Sequence, residues 1–163
     1  MAQPVVVLAR DFFTLQEERV RQYASLDTRH REYLGTAPSY DIQTYQKAVT
    51  EATKNFKEIS ERIIEMRREF EEDFNEKVLD VHDMSCYVAQ LGHECHLVTC
   101  KELTNFIAKI QILEEQKLRL TVDHQLASQQ ALDDPDDELL ERNAKAIKKR
   151  LTELAQEIRY VSH

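Results

Sequence analysis

The 163-residue chain contains few of the residues that interrupt regular structure. It has two glycines and three prolines, whereas an average chain of this length would have about 20 such residues. They are Pro4, Gly35, Pro38, Gly92 and Pro135. Because β-sandwiches and barrels need turn residues every ~8–12 positions, this scarcity excludes most all-β folds. The glycine-rich patterns GxGxxG and GxxxxGK[ST] do not occur, which excludes the common phosphate-binding loops.

Long apolar runs are also missing. No window approaches the roughly 18 apolar residues of a membrane span, and the run from Pro4 to Ala9 is shorter than a secretory signal requires. The three cysteines are an odd number, which together with the missing signal favours reduced thiols inside the cell. We expect a soluble intracellular protein, in the nucleus or in the cytoplasm and cytoskeleton, without a membrane partner.

Basic residues are outnumbered by acidic ones. Lys and Arg total 22 and Asp and Glu total 30, which gives a net charge of −8. Such a chain gains nothing from the electrostatic attraction that supplies most non-specific binding to DNA. Direct binding of nucleic acid is therefore not expected.

The composition favours long amphipathic helices, because 32% of the residues are charged and 42% are hydrophobic. The glycines and prolines divide a single domain, residues 1–163, into predicted helices near 5–34, 41–90, 94–132 and 135–161. Gly35 is expected to end the first helix as its C-cap, and Asp41 or Ser39 to cap the second. Asp134 is expected to cap the last helix, with Pro135 as its first residue.

A heptad seam runs along the second helix, where apolar residues alternate in steps of three and four. They are Ile42, Tyr45, Val49, Ala52, Phe56, Ile59, Ile63, Met66 and Phe70. The spacing changes after Phe70, which predicts a break near Leu79–Met84. The first helix is less regular around Arg19. We predict an all-α fold, an elongated antiparallel helical bundle or coiled coil of about four helices, whose seam is covered by neighbouring helices or by a partner.

A cluster of histidines and cysteines lies in the middle of the chain. His82 with Cys86, and His96 with Cys100, are two HxxxC units that could supply four tetrahedral zinc ligands from facing helices. The other interpretation is ordinary packing, because these residue types are often buried near helical seams and no CxxC pair is present.

The sequence contains no recognisable active site. The nucleophile-elbow pattern GxSxG and the metalloprotease pattern HExxH do not occur. The acidic residues 69–76 and the basic residues 145–150 have the spacing of solvated helix faces. The chain is therefore predicted not to be an enzyme and to use no cofactor.

The best candidate for partner binding is the first corner, which gathers several tyrosines around a loop. Its residues are Tyr33, Pro38, Tyr40, Asp41 and Tyr45. Tyrosines at a helical hairpin can pack the turn while their hydroxyls make polar contacts, and loops between rigid elements often carry function. The alternative is a turn that is simply packed.

The corner also carries a family resemblance. The string His30-Arg31-Glu32-Tyr33-Leu34, followed by Pro38-x-Tyr40-Asp41-x-x-x-Tyr45, resembles the "required for excision 1-B" DNA-repair domain family. Leu15–Arg19, Leu113–Glu115 and Ile158–Tyr160 are similar to it as well, so the resemblance touches both ends of the chain. The stretch from about Arg67 to Thr104, which contains the histidines and cysteines, is not supported by it.

The resemblance implies a role in the excision repair of damaged DNA and supplies no catalytic residues. We predict a non-enzymatic helical adaptor that binds proteins through its helical seams as a subunit of a larger complex. The alternative is a structural coiled-coil subunit of a cytoskeletal or ciliary (axonemal) assembly, which the long seam of the second helix favours.

Overall fold

The structure, a computed structural model, describes residues 4–77 and 100–161. Those residues form four helices: α1 (Pro4–Leu34), α2 (Ile42–Lys77), α3 (Cys100–Asp133) and α4 (Glu138–Val161). No strand occurs among them, so the predicted all-α fold is confirmed. The predicted break near Leu79–Met84 lies outside the described residues. None of the four helices combines the length and the apolar character needed to span a membrane.

Contacts between side chains fix the direction of the helices. As the residue number rises along α1, the number of its partner on α2 falls: the contacts are Glu18 with Arg62, Arg19 with Ser60 and Gln22 with Asn55. These two helices are therefore antiparallel.

α3 lies against both helices of this first hairpin. Arg19 contacts Gln111 and Tyr23 contacts Glu114, so α3 runs parallel to α1. The short turn after Asp133 reverses the chain, and α4 packs along α3. The result is the predicted antiparallel bundle, with α3 between the first hairpin and α4.

Two apolar clusters form the core. The larger contains Leu8, Phe12, Leu15, Ile59, Ile63, Leu103, Ile107 and Ile110. The smaller contains Leu26, Ala52 and Phe56. The predicted seam of α2 is thus buried from Ala52 to Ile63, and helices of the same chain cover it. Its first predicted residue, Ile42, is 61% exposed, because it lies in the first turn of α2, beyond the reach of the core.

A buried arginine joins the three helices between these clusters. Arg19 is only 2% exposed, and its guanidinium donates to Gln111 Oε1 at 2.8 Å and to Ser60 Oγ at 3.0 Å. Burial lowers the pKa of Arg19, while the carboxylate of Glu114 acts in the opposite direction. The irregular position in the first helix is therefore a hydrogen-bonded junction of α1, α2 and α3.

The loop between α1 and α2 differs from the prediction in the way in which it ends α1. Gly35 does not take the left-handed conformation typical of a C-cap glycine. Its N–H bonds to Arg31 O at 3.0 Å, and Thr36 N and Ala37 N then bond to Tyr33 O and Leu34 O. The last two of these bonds join residues three apart instead of four. Together the three bonds satisfy the last carbonyls of the helix, so no left-handed residue is needed.

The prediction for the start of the last helix is wrong by three residues. Asp137, and not Asp134, caps α4, because Asp137 Oδ1 accepts from Leu139 N at 2.8 Å. Pro135 lies in the turn before the helix. The Asp-Asp-Pro-Asp-Asp string offers several capping carboxylates, and the backbone bond from Asp137 N to Asp134 O closes a turn that delays the helix.

Single replacements of Asp137 and Asp134 test which of the two aspartates caps α4. We expect Asp137→Ala to lower the free energy of unfolding by about 1 kcal/mol, the usual effect of losing an N-cap. Asp134→Ala is the matched control and should change stability little. Urea unfolding followed by circular dichroism measures both, and an equal loss in the two variants would contradict the assignment.

Replacement of Arg19 tests the junction. Arg19→Met keeps most of the side-chain volume but leaves Gln111 Oε1 and Ser60 Oγ without their donor and removes one of the two cations near the buried Glu114. The expected loss is about 2–4 kcal/mol of unfolding free energy in urea. Arg21→Met, at an exposed arginine with a loose 3.9 Å ion pair, is the control and should have little effect.

Candidate partner-binding site

Three tyrosines stack at the corner between α1 and α2. The ring of Tyr33 lies between those of Tyr40 and Tyr45, with centroid distances of 4.9 Å and 4.4 Å and interplanar angles of 29° and 17°. Tyr33 is buried in the last turn of α1, while the loop and the first turn of α2 supply the other two rings. The structure therefore brings together the three tyrosines that the sequence selected.

The hydroxyls of Tyr40 and Tyr45 bind residues of α3. Tyr45 donates to Gln125 Oε1 at 2.8 Å, and Tyr40 donates to the carboxylate of Asp133. The bond to Asp133 raises the pKa of Tyr40 to about 12, and burial raises the pKa of Tyr45 to about 12. Both hydroxyls thus stay protonated near neutral pH and act as donors that hold α3 against the corner.

Asp41 organises the backbone of the corner. Its carboxylate accepts from Thr44 N at 3.1 Å and caps α2, as predicted. Hydrogen bonds from the side chain and the backbone of Thr44 lower the pKa of Asp41. Asp41 N in turn donates to Thr36 Oγ1, whose hydroxyl donates to Tyr33 O at 2.6 Å. Pro38 is exposed in the same loop after a cis peptide bond.

A small cleft of about 230 Å³ lies between the end of α1 and the start of α2. Three of the five predicted binding residues line it, namely Tyr33, Asp41 and Tyr45. The other lining residues are Arg29, Glu32, Thr36, Thr44 and Ala48. The cleft thus combines aromatic rings with hydroxyls and an ion pair, Arg29 to Glu32 at 3.0 Å. This mixture suits the binding of a partner's side chain.

His30 belongs to the same cluster but is not among the five predicted residues. It is 5% exposed, and its ring centroid is 5.6 Å from that of Tyr45. The sequence spacing could have identified His30 as a buried residue. It stands four residues after Leu26 and three before Tyr33, which are both buried. The heptad step thus predicts an inward side chain at this position.

The proposed zinc ligands cannot be placed in the same way. His82, Cys86 and His96 lie outside the described residues, as does the side chain of Cys100. Within residues 4–77 and 100–161, no three His, Cys, Asp or Glu side chains are grouped so that they could hold a metal ion. The two interpretations of these residues, a zinc site and ordinary packing, therefore both stay open.

Removal of one hydroxyl tests the contact between the corner and α3. Tyr45→Phe keeps the stacked ring but leaves Gln125 Oε1 without its donor. We therefore expect a loss of about 1 kcal/mol of unfolding free energy. Tyr160→Phe, at a tyrosine that is 87% exposed, should have no effect. Urea unfolding of the two variants measures the difference, and equal stability would show that the hydroxyl contributes nothing.

Comparison with known proteins gives a family match to the first two helices. Residues 7–84 match the model of the family described as DNA repair REX1-B. Two curated relatives, from Mus musculus and Bos taurus, are each named "Required for excision 1-B domain-containing protein" and are 32% identical over 66 residues. The aligned part is 40% of this chain and 39% and 37% of those relatives, so the chain spans well under half of their length. No solved structure matches the chain.

The matched range differs from the predicted extent of the resemblance. It includes residues 67–84, which were expected to fall outside, and it ends before Leu113 and Ile158, which were expected to lie within. The corner motif from His30 to Tyr45 lies inside the match. The predicted resemblance is thus confirmed, and residues 7–84 carry the chain's match to the DNA repair REX1-B family.

Proposed function

We propose that this chain is a non-enzymatic adaptor of excision repair that binds a protein partner at the corner cleft. One observation carries the proposal: Tyr33, Asp41 and Tyr45 line a single cleft within the segment that matches the DNA-repair family. The relatives' printed names associate them with excision, and we extend that association to this chain.

The contacts around the cleft support binding in preference to catalysis. The hydroxyls of Tyr40 and Tyr45 are engaged by α3, and the carboxylate of Asp41 is engaged in capping. These groups hold the walls of the cleft in place, and a rigid site binds a partner with less loss of conformational entropy. The net charge of −8 supports a protein as the partner rather than DNA itself.

The alternative, a coiled-coil subunit of a cytoskeletal or ciliary assembly, rests on the length of the α2 seam. The chain itself covers the seam residues Phe56, Ile59 and Ile63. This part of α2 therefore needs no second chain to bury it, which favours the adaptor.

Proximity labelling in cells tests the adaptor with a variant that fills the cleft. Ala48 lines the cleft from α2 and makes no hydrogen bond through its side chain, so Ala48→Arg blocks the cleft while the tyrosine contacts remain. We expect excision-repair proteins in the wild-type set and about tenfold less labelling of them by the variant, which corresponds to about 1.4 kcal/mol of binding free energy.

Gln46→Arg adds the same charge to an exposed position of α2 that does not line the cleft, and its labelling should equal that of the wild type. Thermal unfolding checks that both variants are folded. A wild-type set made of cytoskeletal proteins would support the alternative. Tight binding of the purified chain to damaged duplex DNA at physiological salt would contradict the adaptor.

A further inference from the structure

One face of α3 is left uncovered by the other described helices. Leu113 and Ala127 of this helix are buried, whereas Ile112, Val122 and Leu126 are 58%, 55% and 57% exposed. The three exposed residues belong to a second seam, whose members again alternate in steps of three and four. The seam consists of Ile112, Glu115, Arg119, Val122, Leu126, Gln129 and Asp133, and we call it the outer face of α3.

The start of α2 adjoins the outer face. Tyr45 donates to Gln125 Oε1 and thereby holds the first turn of α2 beside this part of α3. Ile42 lies in that turn and is 61% exposed. The exposed apolar residues Ile42, Val122 and Leu126 are thus brought to the same part of the molecule. Exposed apolar residues that are grouped in this way mark an interaction surface, whereas single ones do not.

The centre of this surface has no formal charge. Residues 42–46 and 124–132 contain no Asp, Glu, Lys or Arg, although 32% of the whole chain is charged. Depletion of charged residues is typical of the centre of a protein interface. The two stretches also contain five glutamines. Because an amide group both donates and accepts hydrogen bonds, a surface with glutamines can pair with an identical surface.

Charges of opposite sign stand on either side of this centre. Arg119 precedes Leu126 by seven residues and Asp133 follows it by seven, so each lies about 10 Å from Leu126 along the helix axis. A two-fold axis at Leu126 therefore sets Arg119 of each copy at the level of Asp133 of the other. The side chain of Arg119 is 77% exposed, and it pairs with Glu115 of its own helix. The outer face is thus complementary to itself, as a two-fold contact requires.

We propose that two copies of this chain pair through the outer face of α3, as antiparallel helices related by a two-fold axis near Leu126. Apolar side chains of both copies fill the centre of the contact, and Arg119 and Asp133 form ion pairs at its two ends. The net charge of −8 makes most other surfaces of two copies repel each other, which favours the uncharged centre as the place of contact. The pairing does not depend on the proposed adaptor function, because none of the residues that line the cleft belongs to α3.

Sedimentation equilibrium of the full chain tests the pairing. The average mass should rise from that of one chain towards that of two as the concentration increases from about 1 μM to about 1 mM. Leu126→Glu places two carboxylates at the axis and should weaken the pairing at least about a hundredfold, because like charges that are brought together are costly. Val20→Glu, at a residue of α1 that is 60% exposed, is the matched control and should pair as the wild type does.

The mass of a single chain throughout this range would overturn the proposal. Equal pairing of the Leu126→Glu and Val20→Glu variants would overturn it as well. Because Leu126 and Val20 are both exposed, we expect both variants to fold, and circular dichroism checks this.

A mixture of two charge variants tests the symmetry of the contact. Leu126→Glu and Leu126→Lys should each stay monomeric alone, because residue 126 meets its own copy at the axis. In the mixture the opposite charges meet, so the two variants should pair with each other. A mixture that contains only single chains at about 1 mM would overturn the two-fold axis at Leu126.

The ends of the contact are tested at Arg119. Arg119→Gln removes the ion pair at both ends and should weaken the pairing about two- to tenfold. Arg21→Gln is the matched control, since Arg21 is also an exposed arginine that pairs with a glutamate four residues before it, Glu17. Equal pairing of these two variants would overturn the antiparallel register.

Discussion

The arrangement of the bundle depends on one buried guanidinium. Apolar side chains along a heptad seam tolerate a shift of one helix against another, because the hydrophobic effect is non-directional. The hydrogen bonds of Arg19 to Ser60 and Gln111 have defined directions. Because both start from one guanidinium, they fix the register of α2 and of α3 against the same position of α1. Replacement of a whole buried ionic group and its partners by well-packed apolar residues is often neutral or stabilising, whereas removal of one partner alone is costly. We therefore infer that Arg19 mainly specifies the register.

The surroundings of Arg19 compensate its charge. Glu114 is 5% exposed, and Lys117 Nζ lies 3.5 Å from its Oε2. The same ammonium lies 3.9 Å from the ring centroid of Tyr23, whose hydroxyl donates to Glu114 O at 3.3 Å. Burial and the nearby carboxylate of Glu114 raise the pKa of Tyr23, which keeps the hydroxyl a donor. This polar layer separates the large apolar cluster from the smaller one near the corner, and the two ends of the bundle therefore differ in how they are held.

The corner depends on α3 in the same way. Residues 7–84 carry the family match, yet the partners of Tyr40 and Tyr45 lie on α3, beyond its end. Tyr45 does two things at once: its ring lines the cleft, whose lining residues all come from α1, α2 and the loop between them, and its hydroxyl donates to Gln125 on α3. Substitution of a whole tyrosine therefore changes both binding and stability, whereas a residue such as Ala48 changes the cleft alone.

The sequence by itself determined the helices and most of their buried faces. The scarcity of glycine and proline and the alternation of three and four residues identified α1, α2 and the buried run from Ala52 to Ile63, because helix formation and amphipathic spacing are local properties. The cap of α4 was misplaced from Asp137 to Asp134, since neighbouring aspartates offer the same chemistry and only the closed turn selects between them. Tertiary structure alone decided the roles of Arg19, His30 and the tyrosine hydroxyls. The α3 partners of Arg19 and of the tyrosine hydroxyls lie 80 to 93 positions away in the chain. Helical periodicity carries no information on which distant polar group a seam residue will meet.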